Sequence, residues 1–362
     1  MARRRLPWLR FGRAPTGAAL ARRFAGHNRA SVVARRARSV PTCAVLWIVL
    51  ALASPVLVGG AGLVDLARRR GRMPTARALL FLWLWLSLDL VASFVSAVLW
   101  VGFGAGRHLE GPASRWAHHH LQLWLVDRVA DAARVLGLRF DVEHRDPVEP
   151  GPLVVLARHA SYADAILPAL LFGCRAGFGL RYVLAAELRW DPMFDIVGAR
   201  LPDHFLDRSA HGRRTIDHRG ALVELAAGLN EHEAVCIFPE GRFFSRSRLE
   251  RAVERIRRDD PERGARVSTL TNVLPVRPAG ALSLLQAAPG ADVVFVAHVG
   301  LERFDSIRSI LRNVPLRRPV RVTTWRIPRT EVPTDSDALA RWLDDRWAEV
   351  DDLVRSGLDA TG

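Results

Sequence analysis

LVVLARHASYADAIL, residues 153–167, decides how this chain folds. Its first five residues are apolar and rich in valine, too short a run for a buried helix and typical of a buried β-strand. The run stops at Arg158. His159 then stands in the loop leaving the strand, and Asp164 in the first turn of the helix that follows. A strand that feeds a loop and then a helix is the repeating unit of α/β proteins with parallel sheets.

The same alternation extends outward. RYVLAA (181–186), AVCIF (234–238), VLPV (273–276), DVVFVAHVG (292–300) and VRVTTW (320–325) read as strands, and segments such as 219–232 have helix length. The expected fold is therefore α/β, a mostly parallel sheet flanked by helices, occupying residues 151–334. A charged amphipathic stretch at 335–354 closes it as a helix within a C-terminal unit, 335–362.

Composition sets limits on what the 362 residues do. Apolar content is 49% and charged content 25%, which excludes a disordered chain. The net charge of +15 invites a nucleic-acid reading until it is located. Residues 1–77 hold 16 Arg and one acid, Asp65, and account for all of it; the remaining 36 Arg and 36 acids cancel. A neutral body argues against a nucleic-acid groove, so no nucleic-acid partner is expected. All 52 basic residues are Arg, so an isolated Arg carries little functional information. Cys43, Cys174 and Cys236 are scattered, with no CxxC spacing, which points to a reducing compartment and away from a zinc site or disulfide scaffold.

The basic segment leads into apolar sequence. Residues 1–40 read as a basic flexible tail suited to anionic lipid. Residues 43–64 are 22 uncharged residues, and 78–106 form a second apolar run interrupted only by Asp89. Both are long enough to cross a bilayer, so residues 41–107 read as a two-helix membrane anchor. Eleven Arg in the first 38 residues outweigh the five in the intervening loop. That balance favours two crossings with the catalytic domain on the cytoplasmic side; a hairpin dipping into one leaflet would instead keep both clusters on one face. Residues 108–150 form an amphipathic linker helix over 116–138. It carries His118, His119 and His120, which point in three directions, make a poor metal site and read as surface or interfacial histidines.

Two stretches carry chemistry. Five positions apart, His159 and Asp164 would be rotated about 140° from one another within one helix. They meet if one lies in the loop and the other in the first helical turn. The carboxylate then holds one ring nitrogen and leaves the other to take a proton from a bound hydroxyl. This is the base and orienter of a catalytic triad with the substrate's hydroxyl as nucleophile. Downstream, AVCIFPEGRFFSRSR (234–248) ends a buried strand at Pro239 and presents Glu240, Gly241 and Arg242. Glycine there permits close approach of backbone to a ligand, and the arginines suit phosphate. HFLDRS places Arg208 between these blocks, and NVLPVRPAG repeats the strand-end pattern with Pro275 and Arg277.

Four blocks in this order and at this spacing resemble the glycerolipid acyltransferase family that includes 1-acylglycerol-3-phosphate acyltransferases. The resemblance covers roughly residues 152–282, and a two-helix anchor ahead of it fits the family. It implies His159 as general base and Asp164 as its orienter. Arg208 would contact the acceptor's phosphate, Glu240 and Gly241 would shape the acceptor site, and Pro275 and Arg277 would line the acyl-donor side. The implied reaction moves an acyl chain from acyl-CoA or acyl carrier protein to the free hydroxyl of a lysophospholipid, giving phosphatidic acid from 1-acyl-sn-glycerol-3-phosphate. Membrane lipids are the surrounding partners. No metal and no bound cofactor are implied, because a thioester is already activated and needs only deprotonation and oxyanion stabilisation. Backbone amides near Gly241 are the oxyanion candidates.

Three departures bear on the acceptor. Arg158 stands where the family usually has Asn. The Phe-Pro-Glu-Gly block continues Arg242-Phe243-Phe244 in place of Thr-Arg, so that Arg242 supplies a shifted guanidinium. Val276 separates Pro275 from Arg277. The long charged insert after Phe238 is similar to lysocardiolipin-type members, which leaves another lysolipid head group as an alternative. A membrane-anchored lipid hydrolase predicts a G-x-S-x-G elbow, and that string is absent. A non-catalytic lipid-binding protein would not need the pair His159 and Asp164.

Overall fold

The computed structural model describes residues 14–24, 29–68, 71–146, 148–207 and 217–360. Seven strands make one sheet: β1 (Phe140–His144), β2 (Leu153–Ala157), β3 (Gly179–Ala185), β4 (His204–Leu206), β5 (Glu233–Ile237), β6 (Asp292–Val299) and β7 (Val320–Ile327). Their spatial order is β1-β7-β6-β2-β5-β3-β4. Five strands, β6 through β4, run parallel, and β7 turns antiparallel against β6 with β1 parallel to it. The fold is thus the expected α/β with a mostly parallel sheet.

Alternation along the strands builds two cores, one on each face. In β2, Val154 and Leu156 enter one cluster with helices Pro278–Ala287 and Ser336–Asp359, while Leu153, Val155 and Ala157 enter the other. Burial on both faces explains why the central strands read as unbroken apolar runs. β1 and β4 lacked that signal. β1 is an edge strand with an exposed, charged pattern, and β4 has three residues.

One expected strand is absent. VLPV joins no strand ladder among the described residues. The Leu274 amide donates instead to the Glu240 side chain at 2.7 Å, and the amide of Arg277 donates to the Pro239 carbonyl at 2.9 Å. Pro275 has no amide to offer a ladder.

The N-terminal region also differs from a flexible tail where it is described. Helix α1 (Gly17–Phe24) docks on the domain, with Leu20 fully buried in the first core and the Gly17 amide donating to Leu201 O at 2.6 Å. Gly17 is needed there, because a Cβ would fall 2.6 Å from two carbonyl oxygens. The long helix α2 begins at Arg29 and runs to Ala67. Its Arg35 and Arg36 both pair with Asp195.

Helix α3 (Pro74–Gly102) returns antiparallel to α2, and both are long and apolar enough to cross a membrane. The outer face of α2, including Leu52, Val56 and Leu63, is exposed. In contrast, α3 is welded to the body along its length. Arg77 donates to Val135 O at 2.9 Å and Trp85 Nε1 to Asp191 at 2.9 Å. Further along, Asp89 accepts from Met193 N at 3.2 Å. Beyond it, Ala92 packs with Leu121, Leu125 and Val197.

Helix α4 (Pro112–Ala133) lies between α3 and the domain. His118 and His119 on it are buried, contrary to the surface placement expected for them. Burial lowers the pKa of His119 to about 3. These are neutral core imidazoles.

Candidate active site

Because β2 and β5 are neighbours in register, with Leu156 opposite Ile237, the loops leaving their carboxyl ends meet. Open α/β sheets bind ligands at such strand ends. Ser161 starts the first helical turn after β2 as a capping box: its Oγ accepts from Ala163 N at 3.2 Å, and Asp164 reaches back to the Ser161 amide at 2.8 Å. That turn delivers Asp164 to His159. Asp164 Oδ2 lies 3.3 Å from His159 Nδ1, and Oδ1 accepts from Ser161 Oγ at 2.7 Å. Oδ2 also accepts the Ala160 amide.

Asp164 is therefore both a turn-capping carboxylate and the partner of the histidine. Burial pushes its pKa up, yet His298 and His159 more than reverse this and hold it well below the usual carboxylate range. An ionised Asp164 at Nδ1 keeps the proton on that nitrogen and leaves Nε2 as the acceptor. The imidazole lies between two rings, Phe238 at 4.6 Å and Phe243 at 4.3 Å between centroids. Phe243 is in turn braced by Arg248, which donates to its carbonyl at 2.9 Å. The sequence reading assigned neither phenylalanine a part; their signal was the aromatic pair flanking Pro239-Glu240-Gly241-Arg242.

Glu240 faces inward. Its two oxygens accept the His159 amide and the Leu274 amide, each at 2.7 Å, so one carboxyl group ties the β2 loop to the late proline-bearing block. Burial raises its pKa to about 8, against the pull of Leu274 N–H, Arg158 and His159 N–H. Pro275 is likewise buried behind the cleft, beside this tie. Gly241 turns the chain with φ of 71°, and a Cβ there would sit 3.1 Å from the Arg277 side chain. Its amide donates to Phe238 O at 3.0 Å, so this nitrogen is committed to the turn and is not the expected oxyanion donor.

These loops open into a cleft of about 990 Å³ lined by His159, Gly241, Arg242 and Arg277, with Arg219 and His218 on the opposite wall. Arg242 and Arg219 are exposed and make no hydrogen bond or ion pair with the described residues. Arg208 lies outside the described residues. Beside the cleft is a second cavity of about 580 Å³, almost wholly apolar, walled by Phe81 and Trp85 of α3, Leu125 and Val129 of α4, Phe194 and Ile310. Tyr162, Ala165 and Leu184 border both spaces.

Residues 139–298, from the residue before β1 to the penultimate residue of β6, match the family model described as Acyltransferase. That span of the chain matches an acyltransferase domain. Among solved structures, this chain is similar to the 1-acyl-sn-glycerophosphate (LPA) acyltransferase PlsC from Thermotoga maritima. The two share 15% identity with a TM-score of 0.45 over 78% of this chain and 96% of that one. Comparison with curated proteins gives no match.

Proposed function

We propose that this acyltransferase moves an acyl chain from acyl-CoA or acyl carrier protein to the free hydroxyl of a lysophospholipid, 1-acyl-sn-glycerol-3-phosphate. One observation carries the reading. An imidazole with its Nδ1 held by a buried carboxylate stands where a cleft bearing several arginines adjoins an almost wholly apolar cavity of about 580 Å³. The substrates have that same division, a phosphate at one end and hydrocarbon at the other.

In the proposed step, His159 Nε2 takes the proton of the acceptor hydroxyl as its oxygen attacks the thioester carbonyl carbon. The new C–O bond forms, the C–S bond breaks, and the departing thiolate receives the proton back from His159. Asp164 stays ionised throughout and steadies the transient imidazolium. Arg242, Arg219 and Arg277 draw the acceptor's phosphate into the cleft, and the apolar cavity takes the acyl chain. Glu240 and Pro275 act at one remove, by fixing the loops that carry His159 and Arg277.

The apolar hairpin of α2 and α3 anchors the protein in the membrane. Bonds from Arg77 to the Ala92 packing fasten α3 to the body over most of its length. A perpendicular crossing would carry α4 and the acidic Asp191–Asp195 turn into hydrocarbon. The hairpin therefore enters one leaflet, with the body at the cytoplasmic surface.

The test is thiol release from a labelled acyl thioester against a panel of lysolipid acceptors, with the full chain in mixed micelles. Ester formation with lysophosphatidic acid above the other head groups supports the proposal. Transfer to water alone, or preference for an uncharged acceptor, refutes it.

A further inference from the structure

The carboxylate that holds His159 has a second imidazole behind it. His298, near the end of β6, is fully buried. Its Nε2 lies 3.1 Å from the carbonyl oxygen of Arg158 and 3.7 Å from Asp164 Oδ2. A carbonyl oxygen only accepts, so Nε2 carries a hydrogen and donates it to Arg158 O, with Asp164 Oδ2 just beyond hydrogen-bond reach of the same N–H. Its Nδ1 is buried without a hydrogen-bond partner among the described residues. Nothing in the fold's backbone pairing requires a histidine there.

The ring's backbone is held as firmly as its edge. Arg158, 1% exposed, donates to His298 O at 2.6 Å and to Asn272 O at 3.0 Å, and pairs with the Glu302 carboxylate. Glu302 in turn accepts the Gly300 amide at 2.7 Å. The arginine that replaces the family's usual Asn thus fastens β2, β6 and the late block around the far side of Asp164.

We propose that His298 is a positioning residue for acyl transfer: its buried Nε2–H, anchored on the Arg158 carbonyl, presents its dipole to Asp164 Oδ2 and so favours the carboxylate that fixes the proton on His159 Nδ1. The inference rests on the acyl-transfer reading above. Around Asp164 the charged and titratable groups are His159 and Arg158 from the β2 loop, His298 from β6, Glu240 from the turn after β5 and, beyond Arg158, Glu302. Only the two histidines bring ring nitrogens to its oxygens. Both lower its proton affinity against the effect of burial, His298 the more strongly.

Removing the His298 N–H leaves Oδ2 more basic, while the Ala160 and Ser161 bonds keep the carboxylate in place. The His159–Asp164 pair then binds its proton more tightly, and the acidic limb of the rate profile moves to higher pH. In the full chain in detergent micelles, H298A is expected to lower kcat about tenfold with KM for both substrates within about twofold. The acidic limb should move up by about half a pH unit or more. H298Q, whose amide places an N–H in the same direction, restores the limb and most of kcat.

A second readout does not need turnover. The pH profile of His159 carbethoxylation by diethyl pyrocarbonate, followed by peptide mass, should shift upward in H298A and return in H298Q. If the H298A profiles overlay those of the parent, or H298Q falls as far as H298A, the ring only fills space and the proposal is wrong. Should H298A fail to fold, H298Q alone decides, and a displaced limb in it overturns the idea. A parent protein that moves no acyl group refutes the acyl-transfer reading, while the carbethoxylation profiles still judge His298.

Discussion

The cleft and the apolar cavity share a wall of three residues and little else. The cleft combines loops at strand ends with the helices His218–Ala226 and Pro278–Ala287, and its arginines and His159 come from segments far apart in the chain. The cavity is made of helix faces, and two of its sides belong to α3 and α4, outside the sheet. Loops place charge at sharply defined points, whereas helix faces supply broad apolar surface with little directionality. An enzyme for a molecule that is half ionic and half hydrocarbon requires both kinds of wall to meet at the reacting atom. Here they meet at Tyr162, Ala165 and Leu184, the first two in the turn that also carries Asp164.

The largest expected effect strikes that meeting point. H159A should lower kcat by about 10³-fold or more while the melting temperature stays within a few degrees, since the ring packs on Phe238 and Phe243 at the cleft and not inside either core. Near-parental turnover would separate the chemistry from both spaces. Next, A165W fills the shared wall. Turnover of long-chain acyl thioesters should fall about tenfold or more, with short-chain donors little changed, because only the long chain needs the cavity. Equal losses for both lengths would show that the cavity does not hold the chain.

R242A acts on the cleft alone. KM for the anionic acceptor should rise several-fold with kcat and the acyl-chain preference intact, about 1 kcal/mol for one exposed charge. An unchanged KM would remove Arg242 from the acceptor's path.

The smallest effect belongs to the cavity's deep end, where Asp203 is fully buried and its pKa is raised by burial to about 8, against the single amide of Tyr182. Its folded value stands above its unfolded one, so its contribution to stability is present at acid pH and is lost as pH rises from about 4 towards 8. D203N keeps an oxygen for the Tyr182 amide and removes the titration. The thermal melt should therefore depend less on pH over that window, with a gain near pH 8 and none near pH 4. Parallel pH profiles for D203N and the parent would show that Asp203 binds its proton no more tightly in the folded protein than in the unfolded chain.

Legibility in the sequence followed distance along the chain. His159 and Asp164 share one strand-loop-turn, and local rules of capping and chain geometry were enough to bring them together. The central strands were readable because burial on both faces writes a continuous apolar run. Glu240 reads as an acceptor-site residue by its motif, but its partners are 81 and 34 residues away, and no local rule could turn it inward. His298 lies inside an apolar strand, where a lone histidine gives no periodic signal. Its value comes from β6 lying beside β2, a fact of sheet order. The N-terminal arginines misled for a related reason: composition suggested a loose tail, while Leu20 and Gly17 had already found the core.

The fastening of α3 has a practical consequence for handling the enzyme. A fragment cut at Phe103 would show water the flank formed by Leu121, Leu125, Val129 and Met193, an oily strip with the cavity torn open beside it. Such a fragment should precipitate or lose its preference among fatty chains. With the hairpin in lipid as proposed, substrate would reach the histidine by sideways diffusion within the lipid sheet. Rates should then follow the mole fraction of acceptor at the surface, and dilution with inert lipid should slow the enzyme even at constant bulk concentration.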